Sequence, residues 1–188
     1  MSVVVVVKVG GSLMTAAAHF DSILAEIAAA SLSVPLLVVP GGGPFANAVR
    51  DADRSLGLGD DAAHWMAILA MDQYAHAITS RLPDSVLVTR RDDVDRAFAR
   101  QGVPVLAPYA WLRDEDPLPH SWDVTSDSIS AWVAGQVGAR RLVLVKAAGA
   151  SGREVVDPCF QPFLPPGIET AIVTADRIDL LRSVLTGR

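Results

Sequence analysis

Val3-Val4-Val5-Val6-Val7-Lys8-Val9-Gly10-Gly11-Ser12-Leu13 lies at the start of the chain and decides its fold. An unbroken run of β-branched residues fits a strand buried on both faces, as in a parallel sheet. Such a strand has no solvent face for a charge, yet Lys8 sits near its carboxyl end. Ligands of open α/β sheets bind beyond the carboxyl ends of strands, so Lys8 stands where a charge can meet a ligand. Gly10 and Gly11 lack Cβ, which lets backbone N–H groups approach an anion closely. The pattern over Thr15 to Ala30 predicts a helix whose N-terminus adds a favourable dipole. Together these features point to a phosphate site. The alternative is a buried strand and tight turn with a lysine stem lying along apolar surface.

The same unit recurs. Val34 to Val39 predicts a second buried strand, ended by Pro40-Gly41-Gly42-Gly43-Pro44, and Phe45 to Leu56 a helix with Phe45, Val49 and Leu56 inward. Three successive glycines exceed what a tight turn needs and suggest close backbone approach to a ligand; a flexible connector is the other reading. Asp61 to Leu82 predicts a long helix, apolar nearly all round, hence buried or shared with a second subunit. Its polar exceptions are His64, Asp72 and His76, read as ordinary helix residues. Ser85 to Thr89 and Val103 to Ala107 read as strands, separated by a polar, solvent-facing helix over Asp92 to Gln101. An acidic loop, Asp114 to Pro119, leads to His120-Ser121-Trp122-Asp123-Val124-Thr125-Ser126-Asp127 and a helix from Ile129 to Val137. Asp123, Thr125 and Ser126 can cap that helix, but one cap suffices. The surplus fits ligand contact, and Asp127 can accept from a lysine or from the Gly10-Gly11 amides. Arg141 to Val145 predicts a strand that delivers Lys146 into Ala147-Ala148-Gly149-Ala150-Ser151-Gly152. Asp157 to Gly167 reads as loop, Ile168 to Thr174 as the last strand, and Asp176 as the cap of a helix ending at Leu185. Six strands alternating with helices imply βαβ units: an α/β, three-layer αβα sandwich on a mainly parallel sheet.

Composition narrows the class. With 188 residues and no linker, residues 1–188 are expected to form one domain. No apolar run approaches a membrane span and no basic flank marks a signal peptide. The single cysteine, Cys159, fits a reducing, cytoplasmic setting. A net charge of −5 argues against nucleic acid. Of 16 basic residues only Lys8 and Lys146 are lysine, each at a strand end beside small residues. Lysine is a compact point charge suited to a phosphoryl oxygen in a narrow site.

Lys8-Val9-Gly10-Gly11-Ser12, Val39-Pro40-Gly41-Gly42-Gly43-Pro44 and Asp123-x-x-x-Asp127 before a helix, in that order, resemble the amino acid kinase family. Phe45-Ala46-Asn47-Ala48-Val49-Arg50, Ala67-Ile68-Leu69-Ala70-Met71-Asp72 and His120 to Ser128 narrow the resemblance to its methanofuran-biosynthesis branch. That branch implies ATP-dependent phosphorylation of aminomethylfuran-methyl phosphate to the diphosphate, with Mg2+ brought by ATP; the sequence itself gives no protein ligand set for a metal. The resemblance implies that Lys8 binds the transferring phosphoryl group, Asp127 orients Lys8, and Gly10, Gly11, Ser12, Lys146 and Gly149 hold the nucleotide. It places Gly41, Gly42, Gly43, Arg50, Asp123, Thr125 and Ser126 on the acceptor side, where Trp122 or Trp65 is a candidate apolar wall. It also implies a homodimer through the long helix. The family's acids after the fifth strand are absent here, and no lysine follows Lys146. Either Lys146 serves as the second catalytic lysine, or the chain binds nucleotide or metabolite without turnover. A kinase for a nucleoside monophosphate or a carboxylate is the remaining alternative.

Overall fold

Valine alternation along the first strand sends side chains to two separate cores. The computed structural model describes residues 4–150 and 156–187. Val3 and the Ser151-Gly152 end of the post-strand turn therefore lie outside the described residues. Strand β1 (Val5–Val9) is buried at every position and pairs in parallel with β2 (Leu36–Pro40) and β5 (Arg141–Lys146). With β3 (Ser85–Val88), β4 (Val103–Leu106) and β6 (Glu169–Thr174) it forms a six-stranded parallel sheet, ordered β3-β4-β2-β1-β5-β6. The register sets Lys8 beside Val39 on one side and Leu144 on the other.

Val5, Val7 and Val9 face one core, shared with α1 (Ala17–Ser31) and α8 (Leu181–Thr186). Val6 faces the other, with α6 (Ser126–Gln136). Side chains alternate across a strand, so Lys8 follows Val6 toward α6. In β5, Leu142 and Leu144 also face the α6 core, and Lys146 continues that alternation. The two lysines are thus brought to one face, at neighbouring strand ends.

Helix α2 (Gly43–Leu56) is followed by α3 (Asp60–Thr79). Trp65, Ile68 and Met71 of α3 join the α6 core, whereas Tyr74, Ala75 and Ile78 join the other. A helix whose halves face different cores must be apolar on more than one side, which accounts for the all-round pattern. Met66 and Leu69 nevertheless remain exposed.

Several boundaries differ from the sequence reading. A 3-10 helix (Gly11–Thr15) follows β1, and α1 begins only at Ala17. The glycine turn therefore does not feed directly into the α-helix N-terminus. Leu56 is exposed, because Gly57 caps α2 in the left-handed conformation and turns the chain away. Helix α4 (Arg91–Ala99) is not wholly solvent-facing: it buries Val94 and Ala97. Two short helices add to the expected ones: α5 (Tyr109–Glu115), which runs into the acidic stretch read as loop from Asp114, and α7 (Phe160–Phe163), within Asp157 to Gly167 read as loop. Asp72 accepts a hydrogen bond from Tyr109 N at 3.0 Å, supplying α5 with a partner for a terminal amide that its own sequence lacks. A second 3-10 helix (Ala175–Leu180) precedes α8.

Candidate active site

The carboxyl ends of β1, β2 and β5 open into a cavity of about 360 Å³, walled by α2, α3 and the segment entering α6. At its floor lies a three-member charge cluster. Lys8 Nζ is 2.9 Å from Asp127 Oδ1, and Lys146 Nζ is 2.5 Å from Asp127 Oδ2. Lys8 is 4 % exposed and Asp127 3 %. The Lys8 contact is an ion pair outside hydrogen-bonding alignment, so Oδ1 is buried without a hydrogen bond. Burial pushes the Asp127 carboxyl up, but attraction to Lys8 and Lys146 more than offsets this and holds it below the usual range. Burial pushes the Lys8 ammonium down; Asp127 pulls it back, Lys146 repels it, and the net shift is downward. One carboxylate between two lysines is an arrangement that a further anion would complete.

Asp127 reaches this position because the start of α6 is pinned twice. Thr125 caps the helix, its hydroxyl oxygen accepting from Asp127 N at 3.3 Å. Asp157 then binds the cap. It accepts from Thr125 N at 3.0 Å, Thr125 Oγ1 at 2.6 Å, Ser128 N at 3.1 Å, Cys159 N at 3.1 Å and Ser128 Oγ. Sequence reasoning left Asp157 in a loop. A lone acid ahead of Pro158 carries no periodic signal, and its partners at the start of α6 are about thirty residues away.

The two glycine turns meet back to back. A Cβ on Gly11 would lie 2.2 Å from Gly43 N, and one on Gly41 would lie 2.5 Å from Gly11 N. Part of the glycine requirement is thus mutual approach of the turns, not approach to a ligand. Gly10 N donates to Val145 O at 2.9 Å and Gly41 N to Val9 O at 2.8 Å. Those two amides are spent, and neither residue lines the cavity. Gly11, Ser12, Gly42, Gly43, Arg50, Thr125, Ser126, Asp127, Lys8 and Lys146 all line it.

Besides Gly10 and Gly41, two further expected site residues lie off the cavity. Asp123 is exposed and off the cavity wall, while its neighbour Val124 is buried and lines it. Gly149 is exposed at the end of β5, its N–H donating to Asp176 Oδ1 at 3.3 Å. Asp127 meets the lysines, not the Gly10-Gly11 amides. Trp122 walls the cavity, its Nε1 donating to Asp53 Oδ2 at 2.8 Å and Arg50 stacking over it at 4.6 Å. Trp65 is instead buried beside His64, Tyr109 and His120. His64, read from sequence as an ordinary helix residue, lines the cavity; its position one turn before Ile68 was the available signal.

Among the described residues, no group of three His, Cys, Asp or Glu side chains could hold a metal ion. No helix among them is long and apolar enough to cross a membrane.

Residues 3–149 match the amino acid kinase family. The chain is 30% identical over 183 residues to [5-(aminomethyl)furan-3-yl]methyl phosphate kinase of Methanocaldococcus jannaschii, covering 95% of this chain and 78% of that protein. Its fold is similar to uridylate kinase from Archaeoglobus fulgidus (TM-score 0.72, 14% identity, 100% of this chain and 97% of that one). UMP kinase from Ureaplasma parvum is comparably similar (TM-score 0.73, 13% identity, 100% and 93%). With its lysine-lined floor, paired glycine turns and family match, the chain belongs to the amino acid kinase family and is an ATP-dependent kinase.

Proposed function

We propose that the protein phosphorylates a small phosphomonoester, aminomethylfuran-methyl phosphate, to its diphosphate. The observation that carries this reading is the buried Lys8–Asp127–Lys146 cluster at the floor of a cavity bordered by Gly11 and Gly43. An acceptor phosphate oxygen attacks the γ-phosphorus of ATP in line, and the bond to the departing ADP oxygen breaks with its electron pair leaving on ADP. Such a transfer needs positioning and charge neutralisation more than covalent help. Lys8 and Lys146 supply fixed positive charge, and Asp127 holds both ammonium groups toward the reacting phosphates. Ser12 and the Gly11 turn lie on the nucleotide side, with Lys146 and Gly149 beyond them. Gly42, Gly43, Arg50, Thr125 and Ser126 lie on the acceptor side. Buried Gly41 and exposed Asp123 stand outside the wall and take no part in this assignment.

The acceptor assignment rests on the furan phosphate kinase relative and on the wall opposite the glycines. Ala67, Ile68, Met71, Val124 and Trp122 offer an apolar, partly aromatic slot for a flat ring. Magnesium enters bound to the nucleotide phosphates, the usual habit of an ion that keeps most of its water and takes few protein ligands. The protein works as a single domain in the cytoplasm and pairs as a homodimer through the exposed Met66 and Leu69 side of α3.

The test is ADP formation from magnesium-ATP with aminomethylfuran-methyl phosphate, beside uridine monophosphate and simple alkyl phosphates. Turnover fastest with the furan phosphate is expected. Faster turnover with another acceptor would overturn the assignment but keep the kinase; nucleotide binding without turnover on any acceptor would favour a binding subunit. Light scattering that gives a strict monomer would remove the dimer.

A further inference from the structure

The acceptor cavity has a second polar end that phosphoryl transfer does not use. Tyr74 hydroxyl donates to Gly10 O at 3.4 Å, anchoring that part of α3 at the glycine turn. From there α3 lines the cavity with Met71, Ile68, Ala67, His64 and Asp60. His64 is ten residues before Tyr74, which at about 1.5 Å per residue puts it roughly 15 Å along the helix from the transfer end. The wall between them is apolar.

His64 is 8 % exposed and makes no side-chain hydrogen bond among the described residues, and its ring nitrogens are not sealed from the cavity that the residue lines. A ring nitrogen that faces the cavity without a protein partner is open to a hydrogen bond from a ligand. Its ring cannot easily tilt away. It stacks on His120 at 4.2 Å with an 18° interplanar angle and meets Trp65 edge-on at 4.9 Å. His120 is itself held at both nitrogens, by Asp61 and Asp116, each at 2.9 Å. Burial, helped by His120, pushes the His64 imidazole down to about 4, so near neutral pH it keeps a free acceptor lone pair. Asp60 sits one turn earlier on the same wall and has no ion-pair partner among the described residues. Arg50 of the cavity wall is stacked on Trp122, and Arg113 lies over the outer side of the cluster on Trp65 at 4.5 Å, with no ion pair to Asp60 from either among the described residues.

We infer that His64 is a specificity-determining residue: its free ring nitrogen accepts a hydrogen bond from a cationic amine at the end of the acceptor remote from the phosphate, and Asp60 supplies the counter-charge. An acceptor nitrogen beside a carboxylate suits a donor cation, whereas a second anion would be repelled. His120 is a positioning residue that fixes the ring. This deepens the proposed function and rests on its reading of the cavity as the acceptor site.

The experiment is calorimetric binding, without nucleotide, of two matched pairs of phosphomonoesters. One pair is aminomethylfuran-methyl phosphate and its methylfuran counterpart. The other is 3-(aminomethyl)benzyl phosphate and 3-methylbenzyl phosphate. The expected result is a preference for the amine of at least tenfold in both pairs. That preference should collapse toward unity in His64→Leu, fall in Asp60→Asn, and survive in part in His64→Gln, which keeps an acceptor. Circular dichroism checks that each variant is folded. Equal affinity within each pair, or the same preference in a folded His64→Leu protein, overturns the inference, as does failure of every compound to bind. A His64-dependent preference without ADP formation supports the inference while defeating the kinase assignment, so the two fail separately.

Discussion

At the floor of the cavity, Lys8, Lys146 and Asp127 hang from two strand ends and the first turn of α6. At its far end, Asp60, Asp61 and His64 come from the first turns of α3, and Asp116 and His120 from the segment between α5 and α6. The floor is fixed by sheet register, because alternation along β1 and β5 leaves the lysines no other face. The far end is fixed by side chain against side chain. A charge cluster set by register is rigid and suited to chemistry, whereas one set by stacking is easily varied and suited to choosing a substrate.

The comparison breaks most directly at Asp127. Asp127→Ala leaves two lysines side by side without their carboxylate and should cost about 3–5 kcal/mol in a denaturant melt. Lys8→Ala keeps a paired cluster and should instead lower kcat by about 10²–10³-fold with less effect on stability. If both variants lost only stability, the floor would be structural. Next in size is Gly11→Ala, which drives a Cβ into the backbone of Gly43 and should cost about 1–3 kcal/mol of overpacking strain. The same melt checks it, and a neutral result would mean that the turns are not in contact.

Asp157→Ala probes how the floor is held from a distance. It strips the hydrogen bonds from the start of α6 and should cost about 1–3 kcal/mol. It should also lower kcat more than it raises KM for ATP, because Asp127 loses its anchorage. Smallest is the far end. The folded-state His64 value, near 4, lies below that of an unfolded histidine, near 6.5. The native state therefore binds fewer protons, and this contribution is full above about pH 6.5 and is lost as pH falls toward 4. Chemical denaturation between those limits should show a shallower loss in His64→Leu than in the wild type; identical slopes would contradict a buried neutral imidazole.

Much of the floor was legible in the sequence. Lysine in a valine strand, lysine before Ala147-Ala148-Gly149, and Asp127 after surplus capping residues each break a local pattern, and the structure brings those three breaks together. The six strands and the longer helices follow from the same periodicities, whereas the order of the strands in the sheet and the short helices do not. The far end was not legible, because His64 becomes a wall residue only through helix phase relative to Ile68 and through a stacking partner, His120, that lies 56 positions later. Asp157 was hidden for a similar reason: its role depends on where a loop returns, which no local pattern encodes. The glycine turns were half legible. Their lack of side chains is required, but the close neighbour of Gly11 is Gly43, not a ligand.

In the proposed reaction, a phosphoryl group passes from ATP to a phosphate over the Lys8–Asp127–Lys146 floor. The most direct measurement is phosphorus-31 NMR of magnesium-ATP with aminomethylfuran-methyl phosphate, run with the wild type and with Lys8→Ala. Paired diphosphate resonances of a new product should grow with ADP in the wild type and be nearly absent in a folded Lys8→Ala protein. Inorganic phosphate as the only product, or the same diphosphate formed as fast without Lys8, would contradict it.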